Sequence, residues 1–304
     1  VKRIYISGCG GMLGEAFYSQ FKDDFHLKCT DIDENEDWLS YCDIRDLKGY
    51  FADVYDFDPN YLFHFGAYTD LEYCELHQDD TIVTNTLAVE NAVYIANKLN
   101  IPLLYIGTAG IFDGKKETYD DWDIPNPLGV YARTKYAGEV FVKENARSYF
   151  VCRAGWMMGG GPKKDKKFVQ KIMKQIKAGN KILYVVNDKL GTPTYTHDFA
   201  KNVCLLLEHE FSMHHINMSG VYNMVCEGET SRLEVAKEML EILGRKNIEI
   251  VEVSSEYFRE KYFAPRPDSE KLINKKLNLR GLSIMRDWRI ALREYLENYY
   301  SDYL

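Results

Sequence analysis

Along the first half of the chain, short apolar runs alternate with longer stretches in which apolar residues recur every three or four positions. The runs fall at Arg3–Ser7, His26–Thr30, Tyr61–Phe65, Leu103–Ile106 and Tyr149–Arg153. Their length and composition predict buried strands. Between them lie helical patterns at Leu13–Phe21, Leu47–Tyr55, Thr81–Lys98 and Val130–Ala146. Over Thr81–Lys98 the residues Val83, Leu87, Val89, Ala92 and Ile95 trace the apolar stripe of one amphipathic helix. Strand and helix in alternation predict an α/β fold of Rossmann type, a doubly wound parallel sheet with helices on both faces.

The rhythm changes after about residue 155. A "GGGP" turn at 159–162 precedes a Lys-rich helix around 164–178, a strand "KILYVV" and a loop "NDKLGTPTY". Helices around 197–208 and 231–244, a strand "IEIVEV", a loop "FAPRP" and a last helix near 283–299 follow. The expected division is a sheet domain over residues 1–155, with returning segments near 182–210. A smaller, interleaved α/β cap over 156–304 would complete the chain.

Directly after the first strand, "SGCGGMLG" spaces Gly8, Gly11 and Gly14 three apart at the start of a helix. Gly8 can take the dihedrals of a tight strand-to-helix turn. Gly11 lets the backbone approach a pyrophosphate, and Gly14 lets the helix pack close. Met12 and Leu13 open the helix, whose N-terminus presents free N–H groups and a positive dipole end. The first domain is therefore expected to bind a dinucleotide. The second strand ends at Asp31, placed to bond the adenosine ribose hydroxyls and to repel a 2′-phosphate, so NAD(H) is favoured and NADP(H) remains a second choice. Asp43 and Ile44 lie on the next connection, within reach of an adenine. Gly66, Ala67 and Tyr68 follow the strand at Tyr61–Phe65, at the carboxyl edge where ligands bind in such sheets.

"NPLGVYARTKYAGE" sets Tyr131 and Lys135 four apart, on one face of a helix. A free tyrosine, with a pKa of ~10, is a poor proton shuttle at neutral pH. A neighbouring ammonium favours its phenolate, and the same lysine can grip a nicotinamide ribose. Thr108, at the end of the preceding strand, is placed to bond the substrate oxygen. Trp156 lies just beyond the strand at Tyr149–Arg153, and Arg266, stiffened by the prolines of "APRP", is placed to pair bidentately with a diphosphate. His64 reads as a hydrogen-bonded core residue, and "KKDKK" at 163–167 as a solvated helix start.

The chain resembles the extended short-chain dehydrogenase/reductases, and within them the dTDP-4-dehydrorhamnose reductase-like sugar-nucleotide enzymes. The resemblance rests on "SGCGGMLG", "LFHFGAYTDLEYCE", "GTAGIFDG", "NPLGVYARTKYAGE", "CRAGWMMG", "NDKLGTPTYTHDFA", "GVYNMVCEGETS" and "FAPRP", in order over nearly the whole chain. It implies NAD(P)H-dependent reduction of a nucleotide-diphosphate-linked 4-keto-6-deoxysugar, with Tyr131 as proton donor beside Lys135 and Thr108. The pattern departs at one place. The family has Asp-Tyr after the threonine, and this chain has Ala109 and Gly110. Two side chains near the sugar are therefore missing, which leaves the substrate open. The same residues would also serve an NAD-retaining epimerase or dehydratase, and a non-catalytic nucleotide-binding regulatory subunit is a third reading.

Composition narrows the partners. The chain of 304 residues is 28% charged with a formal net charge of −8, which disfavours nucleic acid or an anionic membrane as the main partner. No run of roughly 18 apolar residues predicts a membrane span. The opening "VKRIYIS" leaves no room for a targeting segment, so a cytoplasmic location is expected. Seven cysteines, an odd number with no C-x-x-C pair, predict reduced thiols and no metal site. A homodimer is expected only as the commonest assembly of such proteins.

Overall fold

The computed structural model describes residues 1–212 and 218–304. Strand β1 (Arg3–Ser7) runs into helix α1 (Met12–Phe21), followed by β2 (His26–Asp31), β3 (Leu39–Tyr41), α2 (Leu47–Phe57) and β4 (Tyr61–His64). Helices α3 (Leu71–Leu76) and α4 (Gln78–Ile82) lead through a π-helical turn at Val83–Leu87 into α5 (Ala88–Leu99). Strand β5 (Leu103–Thr108) ends in a 3₁₀ turn, and β6 (Thr118–Tyr119), α6 (Val130–Asn145), β7 (Tyr149–Ala154) and β8 (Trp156–Met158) follow. The remainder comprises α7 (Gly161–Lys164), α8 (Phe168–Lys177), β9 (Ile182–Val186), β10 (Leu190–Gly191), β11 (Pro193–Tyr195), α9 (Thr196–Ser212) and β12 (Gly220–Asn223). Last come β13 (Thr230–Ser231), α10 (Arg232–Ile242), β14 (Glu249–Val253), β15 (Ser269–Leu272), α11 (Lys275–Leu279) and α12 (Trp288–Tyr300).

Seven parallel strands in the order β12-β7-β5-β4-β1-β2-β3 form the main sheet. Phe17 and Phe21 of α1 and Phe199 and Val203 of α9 fill one face. Tyr50 and Val54 of α2, Val89 and Val93 of α5 and Val142 of α6 fill the other. This is the doubly wound α/β sheet that the strand–helix alternation predicted. A second core, built from α8, α10, α12 and β9, belongs to a smaller α/β region. There β13-β10-β15-β6 make a four-stranded sheet, while β11 pairs with β8 and β14 with β9. Of the stretch 182–210, β9 pairs with β14 and α9 lies on the large sheet's α1. Strand β12 adds a further strand to the large sheet, beside β7. All seven cysteines are buried free thiols. Among the described residues no helix is long and apolar enough to cross a membrane.

Several elements differ from the sequence pattern for identifiable reasons. Thr81–Lys98 is not one α-helix, because the π turn at Val83–Leu87 takes up extra residues and rotates the face. Val83 and Leu87 of the expected stripe are exposed, while Thr84 and Asn85 turn inward. The Lys-rich helix breaks at Asp165, whose backbone is extended and whose carboxylate accepts from the Lys167 N–H at 2.6 Å. The loop at 187–195 carries β10 and β11. The last helix begins at Trp288 because the Asp287 carboxylate caps it, accepting from the Arg289 N–H at 2.8 Å.

Helix α6 is fixed to the sheet by a buried ion pair. Arg153 of β7 reaches Glu139 of α6 with Nη2–Oε1 at 2.6 Å and Nε–Oε2 at 3.1 Å, and both side chains are no more than 2% exposed. A side chain at Gly107 on β5 would press on Arg153 Cγ at 2.8 Å. Breaking such a pair strands a buried charge, which costs about 3–5 kcal/mol, whereas removing both partners costs far less. Glu139→Gln and Arg153→Met should each lose stability on that scale in urea unfolding, and the double variant should recover at least part of it.

Candidate active site

The carboxyl ends of the strands gather the expected residues at the β1–β4 crevice, where the strand order reverses. Gly8 has φ +71°, and a Cβ on it would lie 2.2 Å from the Gly66 nitrogen. A Cβ on Gly14 would fall 1.7 Å from the Cys9 carbonyl oxygen, so the turn itself demands that glycine. Gly11 is the N-cap of α1 and offers no side-chain cap, and a Cβ there would meet nothing within 4 Å. The first N–H groups of α1, from Met12 onward, therefore open onto space with no capping side chain, which fits a pyrophosphate. Leu13 is buried against the sheet.

Asp31 fixes this turn from the next strand. Its carboxylate accepts from the Gly10 N–H at 2.8 Å and the Asp33 N–H at 3.1 Å, which holds a negative charge at the end of β2. The Asp43 carboxylate is taken by Arg45, which forks onto it at 2.8 and 2.9 Å and holds it below the usual carboxylate range. Ile44 packs over Gly66, where a Cβ would meet its Cδ1 at 2.4 Å. Beyond Ala67, the backbone of Tyr68 is pinned at both ends by Asn85, whose Oδ1 accepts from the Tyr68 N–H at 2.8 Å and whose Nδ2 donates to its carbonyl at 3.0 Å.

Tyr131 and Lys135 share the buried face of α6. The helix starts at Gly129, where the Glu75 carboxylate accepts from the Val130 N–H at 2.7 Å and complements the helix dipole. A close approach to β5 and the π turn requires Gly138, where a Cβ would lie 2.9 Å from the Tyr105 hydroxyl and 3.0 Å from the Asn85 carbonyl oxygen. That hydroxyl donates to the Lys135 carbonyl at 2.9 Å. The Lys135 ammonium stands 4.2 Å from the centre of the Tyr105 ring. Burial pulls it down to about 7, against a smaller upward pull from Glu139. Burial pushes the Tyr131 phenol up to about 12; the hydrogen bond with Thr108 lowers it, and the charge of Glu270 raises it. The Thr108 hydroxyl also accepts from the Gly110 N–H at 3.1 Å. His64 is a core residue, held neutral with a pKa near 3 by burial and by the charge of Lys135, with Nδ1 3.3 Å from Ser7 Oγ.

On the cap side, two neighbours crowd the Trp156 indole. A Cβ on Gly191 would lie 2.3 Å from its ring, and the Arg232 guanidinium stands 3.7 Å from its centroid. Its Nε1 donates to Glu270 Oε2 at 2.6 Å. Ala109 is buried beside Thr108. Arg266 is paired with Glu72 at 2.8 Å, stands 5.4 Å from the Tyr262 ring centre, and adds its charge to the field around Arg232. Lys167 donates to the Thr69 carbonyl at 2.7 Å. Thus Thr108, Tyr131 and Lys135 come together at the carboxyl end of β5, with Glu270, hydrogen-bonded to Trp156, beside Thr108 and Tyr131. Sequence reasoning missed Asn85, Glu75, Arg232 and Glu270. A polar residue inside an apolar helical stretch was the signal available for Asn85, and nothing local marks the other three.

A seven-stranded parallel sheet with a glycine turn at its switch point and Thr108, Tyr131 and Lys135 beside it defines an extended short-chain dehydrogenase/reductase fold. Within that class the chain belongs to the RmlD substrate binding domain family, whose model matches residues 2–301. It is 29% identical to dTDP-4-dehydrorhamnose reductase of Mycobacterium tuberculosis, over 96% of this chain and 91% of that one. It is also 25% identical to methionine adenosyltransferase 2 subunit beta of Xenopus tropicalis, over 97% of this chain and 87% of that one. Among solved structures it resembles dTDP-4-dehydrorhamnose reductase of Bacillus anthracis in complex with NADP, with 26% identity, a TM-score of 0.84, and coverage of 98% of this chain and 99% of the other.

The buried ammonium has a consequence for stability. A lysine whose pKa falls from 10.5 unfolded to about 7 folded is destabilising in its charged form. That penalty is absent above pH 10.5, grows as pH falls and is complete below 7. In protein free of cofactor, Lys135→Met should therefore be more stable than the parent by ~2 kcal/mol at pH 6.5. The gap should close as pH rises to 10, as read by denaturant unfolding at the two pH values.

Proposed function

We propose that this protein reduces a nucleotide-diphosphate-linked 4-keto-6-deoxysugar at the expense of NAD(P)H, with NADH favoured. The carrying observation is the Tyr131 phenol, on the buried face of α6 one turn from Lys135 and hydrogen-bonded with Thr108 at the end of β5. Held up to about 12 by burial, this phenol is a proton donor across the neutral range. A reductase needs that donor at the start of its cycle. An epimerase that begins by oxidising the sugar needs the phenolate instead. An intact Thr108–Tyr131–Lys135 set likewise speaks for catalysis over a purely regulatory subunit.

The open N-terminus of α1 above Gly11 would hold the pyrophosphate of the dinucleotide, and the fixed charge of Asp31 would face its adenosine ribose. The bound dihydronicotinamide supplies the hydride. Thr108 holds the carbonyl oxygen, and Tyr131 gives that oxygen its proton as the new C–H bond forms. Lys135, in a site dry enough to pull its pKa to about 7, would gain acceptors from the nicotinamide ribose hydroxyls, and its charge would steady the tyrosinate left behind. The diphosphate is assigned to the cationic wall of the cap. The Arg232 guanidinium stands 3.7 Å from the Trp156 ring centroid and makes no hydrogen bond with any described residue, while Arg266 adds its charge to the same field.

The reading is tested with purified protein, NADH and a panel of dTDP-, UDP-, GDP- and CDP-linked 4-keto-6-deoxysugars, followed by loss of dihydronicotinamide absorbance. At least one sugar should be reduced, and absence of turnover on all of them with NADH bound overturns the reading. Tyr131→Phe should lower kcat at least about a hundredfold with NADH affinity unchanged. Asp31→Ala should narrow the preference for NADH over NADPH, measured as the ratio of kcat/KM values.

A further inference from the structure

The chain has no side chain at Gly110 and only a methyl group at Ala109, and the room this leaves is bounded by an unusual neighbour. A Cβ placed on Gly110 would lie 3.3 Å from Glu270 Oε1, 3.5 Å from Thr108 Oγ1 and 3.8 Å from Tyr131 Cε1. One small volume thus touches a carboxylate oxygen from the cap, the hydroxyl at the end of β5 and the edge of the tyrosine ring.

Glu270 is held in that position by fixed parts. Strand β15 sets it opposite Gly191 of β10. The bare backbone of Gly191 admits the Trp156 ring, the Arg232 guanidinium stands 3.7 Å from its centroid, and the indole Nε1 donates to Glu270 Oε2 at 2.6 Å. Oε2 is thereby occupied. Oε1 accepts no hydrogen bond from any described residue, and it is the atom beside Gly110. If Glu270 served only to hold Trp156, a neutral amide would do so without bringing a charge to the catalytic hydroxyl, where partial desolvation makes an idle carboxylate oxygen costly. An ionised carboxylate accepts and never donates, so it favours a ligand bearing an O–H or N–H.

Building on the keto-sugar reading above, we infer that Glu270 is a specificity-determining residue whose Oε1 accepts a hydrogen bond from a hydroxyl on the ring carbon next to the reacting carbonyl. It does from the cap what a longer side chain at 109 or 110 would do from the turn after β5. Gly110 is part of the device, because a methyl group there presses on Oε1.

The experiment separates this inference from turnover by using ligands without a carbonyl. Binding of dTDP-glucose and of dTDP-3-deoxyglucose to NADH-saturated protein is measured by calorimetry for the parent, Glu270→Gln and Gly110→Ala. The parent should prefer the hydroxylated sugar by about tenfold, the scale of one charge-assisted hydrogen bond. In both variants the preference should fall below about threefold, while affinity for dTDP alone stays unchanged. A parent without preference, variants that keep it, or variants that lose affinity equally for both sugars would overturn the inference, the last because it marks a role confined to holding Trp156. If no keto-sugar is reduced yet the preference and its loss appear, the reductase reading fails and the role of Glu270 stands. If turnover is seen and the preference is not, the reverse holds.

Discussion

The buried pair of Arg153 and Glu139 is the constraint on which the rest of the site depends. Neither charge reaches water, so each is tolerable only with the other in place, and together they fix where α6 lies on β5 and β7. The Arg153 guanidinium stands 5.5 Å from the centre of the Phe112 ring, and its stem fills the space that a side chain on Gly107 would take. Glu139 is one turn from Lys135 and two from Tyr131 on the same helix, so this buried pair sets the register of the two residues proposed to act in the site. Gly138 and the Tyr105 hydroxyl complete the clamp from the same side.

That clamp places Lys135 where an ammonium is poorly solvated. Its partners are an aromatic face and a carboxylate already committed to Arg153. A dinucleotide ribose would bring acceptors that the protein alone does not offer. Tyr131 is pushed in the opposite direction, toward keeping its proton, by burial and by the nearby carboxylate of Glu270. Both shifts come from one cause, a dry pocket under a close-packed helix, and both suit a site that is incomplete until its ligands arrive.

The cap answers the sheet with a wall of its own. Gly191, Trp156, Arg232 and Glu270 come from four elements, and each depends on the next. The glycine admits the ring, the ring carries the guanidinium and the ring nitrogen orients the carboxylate. The short side chains at 109 and 110 therefore do not leave a plain void. They leave a volume whose polar boundary is supplied from the opposite side of the cleft.

The sequence by itself determined whatever depends on neighbours a few residues apart. Strand–helix alternation specified the doubly wound sheet, the spacing of Gly8, Gly11 and Gly14 marked the turn after β1, and the four-residue interval of Tyr131 and Lys135 put both on one face of α6. These are repeats of the strand and helix period, and period is written locally. The π turn was not legible, because the apolar spacing of Val83 to Ile95 suits an unbroken helix, and only packing against α6 shows that Asn85 turns inward. Glu75 at the start of α6 and Glu270 at Trp156 Nε1 lie 55 and 114 residues from their partners. No local pattern encodes such pairs. They exist because segments distant in the chain pack side by side, α3 against α6 and β15 near Trp156, and that packing, decided only by the tertiary structure, set the polarity of the pocket around Thr108 and Tyr131.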